Sequence, residues 1–178
     1  MGCKLTFLLS IALAFLPACA GAEMQKLNEV AWWAAYGGIN DEGAFTCAMV
    51  TTTPDGRGAK FVIEHRKGSN TLLVRFLKPT WVVPRGARKQ VVVQFGYNQP
   101  WSVVAIGFGN ELRGGIPLRD ADAFLSGFQS AGRIEVTFIG GTETPWELAT
   151  GGGGFVEADF RKCIRMSIPV QQRPPTQP

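Results

Sequence analysis

Hydrophobic and polar positions along the 178-residue chain fall into three zones. The first is a predominantly apolar run from Leu5 to Leu16, placed behind a single cation at Lys4 and ahead of small residues that follow Pro17. Such a run falls short of the roughly 20 residues that span a bilayer core of about 30 Å, so residues 1–22 read as an export signal peptide. The second zone, residues 23–168, is a succession of short apolar or alternating runs cut by turn residues and reads as one β-rich domain. The third, residues 169–178, is proline-rich and polar and predicts a disordered tail.

Within the second zone the runs predict about eight strands. Val30 to Tyr36 and Ala44 to Thr53 are separated by Gly37-Gly38 and by Asn40 to Gly43, as in an opening strand pair. Ala59 to His65 and Thr71 to Leu77 alternate with period two around the turns Pro54-Asp55-Gly56 and Lys67 to Asn70. Gln90 to Phe95, Trp101 to Phe108, Ile134 to Ile139 and Trp146 to Ala149 complete the set. Lys78 to Gly86 contains two prolines, which fix the backbone and remove ladder donors, so it predicts a crossing loop or an edge. No fixed-period repeat is visible.

Two segments change period from two to 3.6. Leu118 to Phe128 offers Asp120 as an N-cap, places Phe124 and Phe128 on one face, and meets a stop at Gly132. In Phe155 to Met166 the residues Val156, Phe160, Cys163 and Ser167 share one stripe, which turns Cys163 inward. The expected fold class is mainly β: a single antiparallel β-sandwich or partly closed barrel with two short α-helices.

Cysteine placement adds a covalent restraint. Ala18-Cys19-Ala20 and Ala20-Gly21-Ala22 both suit signal peptidase, and cleavage there removes Cys3 and Cys19. Leu16-Pro17-Ala18-Cys19 also has the form of a lipobox, which makes Cys19 the possible lipidation site and the only route to membrane anchoring. Either way Cys47 and Cys163 remain, and in an oxidising compartment an even pair predicts a disulfide. With no Cys-x-x-Cys and one histidine in the chain, a redox or metal pair is the weaker reading, and no metal or cofactor is expected.

Charge narrows the partners. The formal charge of +4 falls by one when Lys4 leaves with the signal. That is too mild for a nucleic-acid binder, and no nucleic-acid partner is expected.

Candidate chemistry is sparse. His65, in Glu64-His65-Arg66-Lys67, reads as a solvated strand-end residue rather than a triad or metal member. Asp120 with Asp122, or Glu143 with Glu147, are the carboxylate pairs a periplasmic hydrolase or carbohydrate-active enzyme would use. The first pair is also explained by the helix macrodipole. Gly151 to Gly154 lacks the Gly-Lys-Ser/Thr that would make a phosphate loop, and reads as a flexible helix entry. Of Trp32, Trp33, Trp81, Trp101 and Trp146, most belong in a core, or else around the cavity of a small apolar-ligand carrier. Trp81 is set apart: it lies between prolines with Lys78, Arg85, Arg88 and Lys89 nearby, a composition suited to an exposed contact surface for an anionic surface polymer or an envelope or host protein.

Cys47-Ala48-Met49-Val50, the stretch Leu72 to Pro79 running into Val82-Val83-Pro84-Arg85-Gly86, and Gly154 to Ala158 resemble the signposts of the invasion-associated locus B family of exported bacterial proteins. The resemblance covers roughly Trp32 to Cys163. It implies an envelope location and, in some pathogens, a part in entry into host cells, and it carries no catalytic residues across. The second cysteine pair of that family, in mid-domain, has no counterpart between Trp101 and Gly115. The functional expectation is a non-catalytic envelope or periplasmic protein that binds a protein or cell-surface partner.

Overall fold

The computed structural model describes residues 23–167 apart from Gly56. Residues 1–22, read above as an export signal and including Cys19, and the proline-rich segment 169–178 lie outside the described residues. In chain order come β1 (Met24–Val30), β2 (Trp33–Ile39), β3 (Phe45–Thr52), β4 (Lys60–Arg66), β5 (Thr71–Leu77), β6 (Arg88–Phe95), β7 (Trp101–Gly107), β8 (Glu111–Pro117), α1 (Ala121–Ser130), β9 (Ile134–Ile139), β10 (Trp146–Leu148) and α2 (Gly153–Ser167). The strands form one antiparallel sheet in the order β1-β2-β3-β4-β5-β8-β7-β6-β9-β10, and it does not close.

The sheet curls until its inner faces meet. Phe76 of β5 packs 5.8 Å from Phe138 of β9 and 6.5 Å from Trp146 of β10, centroid to centroid. Period-two alternation puts Phe61, Ile63, Leu72, Val74, Val91 and Val93 on this inner face, all fully buried. Helix α2 packs across β1, β2 and β3, and α1 packs on α2 and β6. Phe124 and Phe128 share one buried face of α1, and the Phe128 ring lies 5.1 Å from Trp33 and 4.8 Å from Phe95. Val156, Phe160, Cys163 and Ser167 all point from α2 into the core. No helix among the described residues is long and apolar enough to cross a membrane.

Cys163 meets Cys47 in a disulfide with a Cα–Cα separation of 5.9 Å. A glycine makes the approach possible. Gly37 stands opposite Cys47 in the β2–β3 register, and a Cβ there would sit 2.9 Å from the Cys163 Sγ.

Three expectations are corrected. The run from Val30 to Tyr36 is not one strand, because Ala31, at φ 52°, and Trp32 form a tight turn between β1 and β2. The expected count of about eight strands falls short of the ten present: β8, which contains Gly114, Gly115 and Pro117, was not assigned. A Cβ on Gly114 would lie 2.2 Å from Val103 Cγ1, so the glycine marks close strand packing instead of a break. Asp120 makes no side-chain cap: a 3₁₀ turn at Leu118–Asp120 runs directly into α1 and holds the Asp120 backbone in the helical region.

Candidate functional site

The crossing loop between β5 and β6 is tied down by hydrogen bonds, and its tryptophan faces the core. The Trp81 ring is half-buried, stacks 5.3 Å from Trp146 and meets Phe138 edge-on at 5.2 Å. Its indole N–H donates to Glu143 Oε2 at 2.9 Å. Glu143 also accepts from Trp146 Nε1 at 2.9 Å and from Lys78 Nζ at 2.7 and 2.8 Å. The expected exposed contact through Trp81 and Lys78 is therefore corrected: both are consumed by one half-buried carboxylate that ties the loop to the β9–β10 connection. Burial alone raises the Glu143 carboxyl pKa, but the hydrogen bonds from Lys78, Trp146 and Trp81 and the ammonium charge together hold it below the usual carboxylate range.

Beyond Trp81 the loop turns outward. Val82 is 93% exposed, and Pro84 and Arg85 are exposed with it. Hydrogen bonds Val83 N to Gly109 O at 2.6 Å, Gly109 N to Val83 O at 3.0 Å and Gly86 N to Gly107 O at 3.0 Å bolt this arm to the β7–β8 turn. Arg85 lies 5.4 Å above the Phe108 ring and Arg113 lies 4.5 Å from the same ring. Arg88 is exposed and Lys89 half-buried. Arg85, Arg88 and Lys89 form no ion pair among the described residues.

These cations border a chain of charges on the outer face that the sequence reading missed. Glu42, Arg66, Glu64, Arg75, Glu111 and Arg113 alternate in sign from the β2–β3 turn across β4 and β5 to β8, linked at 2.5, 3.4, 3.2 and 2.7 Å and, for Arg113 Nε to Glu111, 2.6 Å. Burial raises the Glu111 carboxyl, yet hydrogen bonds and charge from Arg113 and Arg75 hold it below the ordinary range. The i, i+2 pairs Glu64/Arg66 and Glu111/Arg113 are visible in the sequence. Their junction through Arg75 needs the β5–β8 pairing, which is not local.

The other candidates separate. Asp122 pairs with Arg161 of α2, so it joins the two helices, while Asp120 lies 3.7 Å from Arg119. Glu147 bonds Arg133 at 2.6 Å. Glu143 and Glu147 do line one cleft of about 400 Å³ with Asp55 and Lys78, but Glu143 is held ionised where a general acid needs the opposite shift. His65 is 1% exposed, not solvated, because it continues the inward series Phe61, Ile63. Its Nε2 lies 3.1 Å from Ser69 O and its Nδ1 has no partner. Trp33 and Trp146 are buried, and Trp81 and Trp101 pack on the core. Trp32, 55% exposed, is the tryptophan at the surface.

At the other end of β6 lies a cleft of about 640 Å³ between the β6–β7 turn and the α1–β9 connection. Gln94, Tyr97, Asn98, Arg133 and Glu135 line it, and Tyr97 is fully exposed. Among the described residues no three His, Cys, Asp or Glu side chains gather as metal ligands. No family model, curated protein or solved structure matches the chain.

Proposed function

We propose that this is an exported, non-catalytic envelope or periplasmic protein that binds an acidic protein or cell-surface partner through the arm from Val82 to Arg88. The observation that carries the reading is the combination of exposed Arg85 and Arg88, which form no ion pair among the described residues, with a backbone held by hydrogen bonds at both flanks. A prefixed arm loses little conformational freedom on binding, and its cations steer an acidic partner. Export is supported by the Cys47–Cys163 disulfide, which suits an oxidising compartment, and by the pattern of residues 1–22. The resemblance to the invasion-associated locus B family points the same way. The non-catalytic part rests on Glu143 and Glu111, whose carboxyls are tied ionised into neighbours and are thereby unsuited to proton donation.

The test is binding of the labelled domain to bacterial envelopes and to host-cell surfaces. Arg85→Glu with Arg88→Glu is expected to weaken capture about tenfold or more and to flatten its salt dependence, with the unfolding midpoint unchanged. Undiminished capture by the double variant would overturn the reading.

A further inference from the structure

The cleft beside Tyr97 has the parts of a saccharide site. The β6–β7 turn is fixed from within: Gln94 Nε2 donates to Gly96 O at 3.0 Å and also to Asn98 O, Gly96 N donates to Arg133 O at 2.7 Å, and Asn98 N donates to Phe95 O at 3.0 Å. Four hydrogen bonds thus hold a turn whose central side chain touches no core. Tyr97 makes no side-chain hydrogen bond among the described residues, and its ring is fully exposed. An ordered turn that holds a bare aromatic ring over a cleft is preorganised for a flat apolar face.

The walls supply the complementary chemistry. Gly96, at φ 56°, and Gly132 leave them open, and a Cβ added to Gly132 would meet nothing within 4 Å. Asn98 offers an amide. Arg133 directs only its Nη2 to Glu135 and Glu147, both at 2.6 Å, so Nε and Nη1 remain as donors. Glu135 keeps unused lone pairs although Arg133 and Thr137 reach it. A pyranose ring has this dual character: C–H groups on one face for an aromatic ring, and hydroxyls at its edge for planar amide, guanidinium and carboxylate groups.

Charge sets the class. The charged lining residues Arg133 and Glu135 balance, and Glu147, outside the cleft, holds the same guanidinium, so no surplus cation is left to favour a phosphate, a uronate or a sialic acid. The open, polar-edged walls give a lipid chain no enclosing apolar surface. We propose that this cleft binds a neutral saccharide, with one ring stacked on Tyr97 and its hydroxyls held by Asn98, Arg133 and Glu135. The site lies at the opposite end of β6 from Arg85 and Arg88, so it stands or falls independently of the acidic-partner reading.

The experiment is a backbone-amide NMR titration of the exported domain with cellotetraose and N-acetylchitotetraose, with tetragalacturonate as the acidic probe. At least one neutral tetramer is expected to shift the amides of Tyr97, Asn98, Gly132 and Arg133. Tyr97→Ala should then weaken binding about tenfold, while Tyr97→Phe, which keeps the ring face, stays within about threefold of the parent. Tetragalacturonate should leave these amides in place. The proposal is overturned if neither neutral tetramer moves them at about 10 mM, a concentration that would reveal even millimolar affinity. It is equally overturned if Tyr97→Ala binds as well as the parent or if the acidic tetramer binds as tightly as the neutral ones.

Discussion

Two loops flank β6, and both place an aromatic residue among prolines, glycines and polar side chains, yet one ring turns in and the other out. Trp81 finds an acceptor in Glu143 and an aromatic surface in Trp146 and Phe138. Tyr97 sits on a turn whose polar contacts are all made by its neighbours, Gln94 above all. Composition around an aromatic residue therefore does not decide its exposure. What decides is whether a distant strand brings an acceptor for its polar edge and a surface for its face. A buried indole N–H without a partner would be costly, and Glu143 removes that cost.

The comparison can be broken at its inward end with the largest effect. Trp81→Ala removes the ring from Trp146 and Phe138 and is expected to lower unfolding free energy by about 3 kcal/mol, read by urea denaturation. Glu143→Ala leaves Lys78 and two indole N–H groups unpartnered. A loss of about 2 kcal/mol is expected, with a red shift in tryptophan emission as water reaches the rings.

A gentler test uses acid. The folded pKa of Glu143 lies below its ordinary value of 4.5, so the unfolded chain takes up the proton first as pH falls. The stabilisation by this carboxylate is full above that value and is lost as pH drops through the lower, folded one. Glu143→Gln should flatten that part of a stability profile measured below about pH 4.5, where the parent declines more steeply. At the outward end the expected effect is smallest: Tyr97→Ala should change unfolding free energy by no more than about 0.5 kcal/mol, because the ring packs against nothing. A large loss there would show that Tyr97 belongs to the same structural category as Trp81.

Legibility in the sequence followed burial. Thr71–Leu77 and Ile134–Ile139 match their sequence-read bounds because each alternates strictly between a core face and a wet face. The stripe on α2 was readable for the same reason, and with it the disulfide. Strand β1 escaped notice because it lies at the sheet edge and buries no residue fully, which leaves no period to read. His65 was misread because its charged neighbours Glu64, Arg66 and Lys67 suggested solvent, although Phe61 and Ile63 already set the inward phase. The Glu143 hub and the Arg75 junction could not be found locally: each joins residues dozens of positions apart through pairings, such as β5 with β8, that no neighbouring pattern announces. Tyr97 was passed over because a turn residue offers no periodicity at all.

The link between Cys47 and Cys163 bears on proteolysis. Every loop from Thr53 to Gly152 lies inside the segment it closes, including the arm that carries Arg85 and the turn that carries Tyr97. A protease that cuts once anywhere in that interval produces two fragments that stay one molecule, with both ends of β6 still represented. Such a nicked protein would run as a single band until reductant is added. Proteolytic damage would thus have to strike twice, or be preceded by a thiol, before either surface could leave the other behind.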